Sequence, residues 1–288
     1  MEMVDQNKGK DLKNVAKSKL IDGPYYLSIK RDGHYVQIKY DINTDQVQFW
    51  TSGGKPFYLA KMADYIRARA LSSFHIECEF NYGCDGKLGD RGKSAILTTY
   101  RTNYEKEVYT PGDETKDFFT VLDSIDLTLT FETRLRLLQE MFFTAESWFI
   151  LPRQDYVATI AEAEEITTAW VKQGWEGGML KHPKHMYQPG KRVNNIIKLK
   201  PRLTADLLCI GTEGGKGKYE GLIGSLVLVD AMGRQVSAGS GLSDYDRQQT
   251  DLFFIDKVVE IEYEKIDKTY LQPIIKCIRD DKTRDDIS

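Results

Sequence analysis

Apolar and polar positions alternate in short runs along most of the chain, and the period changes where helices are expected. Stretches rich in β-branched and aromatic residues, bounded by Gly, Asp or Asn, predict strands over 25–29, 35–40, 47–50, 75–80, 118–122, 178–181 and 196–199. Three stretches take helical spacing instead. One opens at Pro56 and runs to about 71, one is FETRLRLLQEMF with Thr130 and Thr133 at its start, and one covers 161–172 and stops near Gly174. This order predicts an α+β domain built on antiparallel sheets.

The texture changes after Pro201. DLLCIGT, SLVLVD, RQVSAGS, KVVEIEYEKI and PIIKCI are strand-like and separated by glycine-rich turns, with one helical piece near 243–253. Five strands in so short a stretch suit a small closed β-barrel of the OB type, a common nucleic-acid-binding module. The expected domains are 1–202 and 203–288.

Composition changes this picture little. Of 288 residues, 41% are hydrophobic and 29% charged, values of an ordinary globular protein. No apolar run approaches the ~18 residues of a membrane span, and the polar N-terminus lacks the apolar stretch of a signal peptide, so a cytoplasmic location and no membrane partner are expected. Cys78, Cys84, Cys209 and Cys277 fit no C-x-x-C pattern and read as reduced thiols. His182 and His185 lie three apart with no acidic or cysteine partner nearby, which argues against zinc and leaves a hard cation held by carboxylates and phosphates. The formal net charge of −3 argues weakly against nucleic acid, but residues 181–202 hold seven Lys/Arg and no Asp or Glu, a strip able to follow a phosphate backbone.

The chemistry centres on Lys30-Arg31-Asp32-Gly33, between two expected strands. A lysine becomes a nucleophile when its ammonium gives up its proton, which neighbouring cations or desolvation favour. Alone, K-x-D-G is compatible with a plain hairpin turn. Later segments add Glu77-Cys78-Glu79, Glu176-Gly-Gly-Met-Leu-Lys181, Lys198-Leu-Lys200-Pro201 and Arg279-Asp-Asp281-Lys282. Lys198 and Lys200, at i and i+2 of a strand, point the same way and can meet one phosphate together.

In order and spacing this series resembles the covalent nucleotidyltransferase superfamily and, within it, the ATP-dependent DNA ligases in minimal catalytic-core form. The resemblance covers nearly the whole chain, including the glycines of GKGKY, GSL and GSGLSD in the second domain. It implies a nucleotidyltransferase (adenylation) domain followed by an OB-fold domain. It implies that Lys30, with Asp32, Lys198 and Lys200, takes AMP from ATP, passes it to the 5′-phosphate of nicked double-stranded DNA, and so lets the 3′-hydroxyl close the strand. It places Ser28, Ile29, Lys30, Glu79, Leu122, Glu176, Lys181, Lys198 and Lys200 around the nucleotide, with Glu79 and Glu176 suited to Mg²⁺, and gives Arg279 and Lys282 the pyrophosphate. Asp123 matches the family's aromatic-Asp segment, but Leu122 stands where an aromatic usually stacks on the base, with Phe118 or Phe119 as candidates to compensate. Tyr35 and Ser52 occupy positions where the ligases carry arginines that touch ribose or the nick phosphate, and Arg91 or Lys93 are candidate replacements. A monomer is the default. The alternatives are an RNA ligase or an mRNA-capping guanylyltransferase using the same lysine chemistry, and a nucleic-acid-binding relic without catalysis.

Overall fold

The structure is a computed structural model that describes residues 3–21, 23–88, 90, 96–106, 117–142, 148–266 and 268–288. It divides into two compact units, Met1–Lys200 and Pro201–Ser288. Along the first run β1 (Lys8–Asp11), β2 (Tyr25–Lys30), β3 (His34–Asp41), β4 (Gln46–Thr51), β5 (Pro56–Phe57), α1 (Ala60–Arg69), β6 (Phe74–Tyr82) and α2 (Ile96–Glu105). There follow β7 (Asp117–Ser124), α3 (Phe131–Phe142), β8 (Phe149–Ile150), β9 (Asp155–Val157), α4 (Ile160–Lys172), β10 (Gly177–Lys181) and β11 (Arg192–Leu199).

These strands form two sheets, ordered β1-β11-β10-β2-β9 and β5-β4-β3-β6-β7-β8. Pairing is antiparallel except for β1 with β11 and β7 with β8. The second sheet packs Val36, Ile38, Ile76, Cys78, Phe80, Phe119 and Val121 against Met62, Ala63 and Ile66 of α1 and Leu97 and Tyr100 of α2. The first sheet closes Tyr25, Leu27, Leu180, Ile197 and Leu199 against Ala163 of α4. Thr159 caps α4 by accepting from the Glu162 N–H at 3.2 Å, and the chain leaves it through Gly174 at φ +93°.

Three expectations are corrected. The helix opened by Pro56 begins at Ala60 instead, because Pro56 pairs with Trp50 on an edge strand, where its missing N–H costs no ladder bond. The second unit is not closed into a barrel by strand pairing. Its strands β12 (Leu203–Gly214), β13 (Ile223–Val229), β14 (Gln235–Ala238), β15 (Val258–Tyr263) and β16 (Ile274–Ile278) take the order β14-β13-β12-β15-β16. β14 has only four residues, and the glycine segment after it approaches β16 as a turn: the Ile275 N–H donates to the Ser240 carbonyl at 2.8 Å. A Cβ on Gly241 would stand 2.0 Å from the Ile275 carbonyl oxygen, so only glycine allows that approach. The helical piece expected over 243–253 is a four-residue α5 (Asp244–Arg247) and a separate 3₁₀ turn.

Candidate active site

Lys30 ends β2 where the chain leaves the first sheet for the second. Gly177 on β10 pairs with it, while Gly178 and Met179 pair on their other side with Leu199 and Lys198 of β11. This register brings Lys30, Glu176 and Lys200 to one end of three adjacent strands. Lys30 Nζ donates to Glu176 Oε2, and Lys200 Nζ lies 2.6 Å from Glu176 Oε1, so one carboxylate is shared by two ammoniums. The glycines of E-G-G permit it. A Cβ on Gly177 would stand 2.1 Å from the Leu199 carbonyl oxygen, and one on Gly178 2.5 Å from Thr167 Oγ1.

Burial works against the Glu176 carboxylate, but the charges and hydrogen bonds of Lys30 and Lys200 outweigh it and hold its pKa below the ordinary value. Half-buried Lys198 is lowered by burial first and then by the Lys30 and Lys200 charges. Two lysines thus share one carboxylate, with a third close enough to feel their charge, an excess of positive charge suited to a phosphate.

Gly33 serves close approach, and no hairpin is present, since β2 and β3 belong to different sheets. Its N–H donates to Glu79 Oε1 at 2.9 Å, and a Cβ there would lie 2.5 Å from the Phe80 carbonyl oxygen. The Asp32 N–H donates to the Gly86 carbonyl at 2.8 Å, and Asn81 Nδ2 donates to the Asp32 carbonyl at 3.1 Å. Arg31 lays its guanidinium over the rings of Trp175 at 5.1 Å and Phe118 at 5.7 Å, and burial lowers its pKa.

Ser28 is buried opposite Met179, and Ile29 is half-buried opposite Gly178. Leu122 is the extra residue of a β-bulge: Glu77 pairs with Asp123 and Cys78 with Val121, leaving Leu122 between them. Of the two aromatics considered in its place, Phe119 is fully buried in the apolar core between Phe80 and Phe149, whereas Phe118 is half-buried beside Arg31.

Behind the site, between the sheets, lies a buried polar layer. Arg134 of α3, fully buried, donates to both Asp123 oxygens at 2.8 and 3.0 Å. Lys181 of β10 donates to Asp123 Oδ2 at 3.1 Å and to the Leu122 carbonyl at 2.7 Å, tying one sheet to the other. The hydroxyls of Tyr35 and Tyr187 donate to Glu77 Oε2 at 3.0 and 2.9 Å. Burial raises the Glu77 pKa to about 7; for Asp123, burial is outweighed by Lys181 and Arg134, and its pKa is lowered. Sequence motifs do not mark Glu77, Arg134 and Tyr187 as parts of this layer. The available signal was Arg134 on the helix face shared by Phe131, Leu135 and Leu138.

The basic strip does not form one surface. Lys181 is buried, Lys198 and Lys200 belong to the Glu176 cluster, and Lys184, Lys191 and Arg192 are exposed. Arg202 lies in the second unit beside Glu262 and Glu264. Arg279 and Lys282 also lie in that unit: Arg279 donates to Glu260 at 2.9 Å and to Asp281 at 2.7 and 2.8 Å, and Lys282 to Asp206 at 2.5 Å. Arg91 and Lys93 lie outside the described residues. The four cysteines are free thiols. His185 is buried, with Nε2 2.6 Å from Asn7 Nδ2.

Among the described residues no cluster of three or more His, Cys, Asp or Glu side chains could hold a metal by itself. Mg²⁺ is commonly held by one or two carboxylates completed by substrate phosphates and water, and the donor chemistry of Glu79 and Glu176 fits that shared arrangement. No helix among the described residues is long and apolar enough to cross a membrane.

Comparison with known proteins gives a consistent likeness. Residues 9–200 match the family model described as ATP dependent DNA ligase domain, and residues 214–279 the DNA ligase OB-like domain. A DNA ligase of Methanopyrus kandleri is 33% identical over 137 residues, which is 45% of this chain and 24% of that protein. DNA ligase 2 of Korarchaeum cryptofilum is 24% identical over 236 residues, 73% of this chain and 40% of that protein. The chain thus spans about a quarter to two fifths of the length of these two curated relatives. Among solved structures, one described as a Lig E DNA ligase binding DNA with a minimal scaffold aligns at TM-score 0.58 and 18% identity, covering 97% of this chain and 100% of that one. The Chlorella virus DNA ligase-adenylate aligns at 0.52 and 16%, covering 97% and 99%. At such identities the likeness is one of fold.

Proposed function

The chain belongs to the ATP-dependent DNA ligase family, and on that premise we propose that it seals nicks in double-stranded DNA through an AMP carried on Lys30. The observation that carries this reading is the Lys30–Glu176–Lys200 cluster with Lys198 beside it.

In the first step Lys30 Nζ attacks the α-phosphorus of ATP, a P–N bond forms, and the bond to the bridging oxygen breaks as pyrophosphate leaves. Lys30 loses a proton to solvent before it attacks, and Glu176, in contact with it, orients the amine. Lys198 and Lys200 then meet the charge that grows on the phosphate oxygens. Ser28, Ile29 and Leu122 line the base side, and Lys181 supports that wall from behind through the Leu122 carbonyl. Asp32 is positioned beside Lys30 by the bonds of its backbone to Gly86 and Asn81. Glu79 and Glu176, together with the phosphates, would hold Mg²⁺, which would supply charge neutralisation there. A 5′-phosphate oxygen next attacks the AMP phosphorus and releases the lysine, and the 3′-hydroxyl finally displaces AMP to close the strand. The protein acts as a monomer in the cytoplasm.

Incubation with ATP or GTP labelled on the α-phosphate tests the reading. Label from ATP should appear on the wild type and be absent from Lys30→Ala. Label from GTP alone would replace the ligase by a guanylyltransferase.

A further inference from the structure

The ladder between β2 and β10 ends at the Lys30–Gly177 pair, so Glu176 stands one residue outside it. Strand pairing therefore does not by itself set how the Lys30 ammonium meets the Glu176 carboxylate. The next residue on each chain adds a contact of its own. Arg31, one position after the lysine, lays its guanidinium 5.1 Å from the ring centre of Trp175, one position before the glutamate. Phe118 of β7, in the other sheet, brings a second ring to the same guanidinium at 5.7 Å. All three side chains are half-buried. Arg31 Nε is enclosed by protein and Nη1 is taken by the Asp85 carbonyl, so this guanidinium is built into the fold.

The segment 85–88, which follows β6, binds both turns. The Gly86 carbonyl accepts from the Asp32 N–H at 2.8 Å, and the Leu88 N–H donates to the Gly174 carbonyl at 3.0 Å. Lys87 sets its ammonium 5.6 Å from the Trp175 ring, and its N–H donates to Asp90 Oδ2 at 2.9 Å. Position 86 needs glycine: its φ is +76°, and a Cβ there would stand 3.1 Å from Arg31 Cβ and 3.0 Å from Asn81 Oδ1. Trp175 is anchored in turn to α4, its N–H donating to the Trp170 carbonyl at 3.1 Å.

We infer that Arg31 and Trp175 are positioning residues for the lysyl-AMP step: their stack, held by the 85–88 segment, sets the approach of Lys30 to Glu176 and so the line along which Nζ meets the α-phosphorus. The inference rests on the proposed nick-sealing reading and deepens it. A planar guanidinium on an indole is a directional contact that an aliphatic side chain does not reproduce. A nucleophile displaced by about 1 Å loses on the order of 100-fold in rate.

Single-turnover formation of lysyl-AMP from labelled ATP tests this. Trp175→Leu keeps apolar bulk and removes the ring face. It should slow the step at saturating ATP by about 10-fold to 100-fold, while the ATP concentration for half-maximal rate changes by less than about threefold. Trp175→Phe should recover most of the rate, and Arg31→Gln should match Trp175→Leu. Sealing of a nick that already carries AMP on its 5′-phosphate needs no attack by Lys30, so each variant should stay within about threefold of wild type there. In a Glu176→Ala background Trp175→Leu should add little, because both substitutions remove the same arrangement. A Trp175→Leu protein that forms lysyl-AMP at the wild-type rate, or one that slows both reactions equally, overturns the inference. Should Trp175→Leu not fold, Arg31→Gln decides it by the same measurements. If Lys30 of the wild type takes no label from ATP, the nick-sealing reading itself has failed and this inference falls with it; if it takes label and the substitutions leave the rate unchanged, only this inference fails.

Discussion

Two places in the first unit use the same charge arithmetic, one carboxylate between two cations, and do opposite things with it. At the end of β2, Glu176 is shared by Lys30 and Lys200, whose side chains are 20% and 46% exposed. Between the sheets, Asp123 is shared by Arg134 and Lys181, which are 0% and 9% exposed. Where water and ligand can reach the cations, the ion pairs are exchangeable, and a phosphate can replace the carboxylate at small cost. Where nothing can reach them, each charge depends on the other two, and the trio acts as a fixed tie between sheets.

Breaking the buried trio should have the largest effect on stability. Asp123→Ala strands two buried cations, and we expect a loss of about 3–5 kcal/mol in denaturant unfolding. A variant as stable as wild type would erase the contrast. The exposed trio should respond in the opposite sense. Glu176→Gln should cost only about 1 kcal/mol of stability, while lysyl-AMP formation, followed with labelled ATP, slows by about 100-fold, or ~2.7 kcal/mol of barrier. Lys200→Ala should show the same split between fold and rate.

The third effect sharpens the comparison through pH. Burial raises the Glu77 pKa to about 7, so between the ordinary carboxylate range and that value the folded protein keeps a proton that the unfolded chain has released. Its contribution is present at low pH and is lost as pH rises through about 7. Asp123, with its pKa lowered, contributes stability that is present above the ordinary value and lost as pH falls through its own. Between pH 5 and 8 the wild type should lose about 2–3 kcal/mol relative to Glu77→Gln. Equal slopes for the two proteins in urea unfolding would show that Glu77 does not titrate differently on folding.

Much of the fold was legible because period and punctuation are local. The strands at 25–29, 35–40 and 196–199 all appear, lengthened by up to four residues at an end, and Gly174 stops α4 as expected. Pro56 misled because a proline that can open a helix also fits an edge strand, and only the pairing partner Trp50 distinguishes the two. The barrel expectation failed for a similar reason: strand count does not say whether the first and last strands are long enough to pair.

The sequence by itself determined the identity and order of the chemical groups: a lysine before Asp-Gly, an acidic pair on one strand, E-G-G, and lysines at i and i+2. These follow from residue type and short spacing, which the chain carries without folding. Tertiary structure alone decided which charges meet. Lys30 and Glu176 are 146 residues apart and become partners only through the register of β2 on β10. The same holds for Tyr35, whose hydroxyl is committed to Glu77, 42 residues further along. Burial and long-range pairing set whether a charge is exchangeable or locked, and neither is a property of any stretch of sequence.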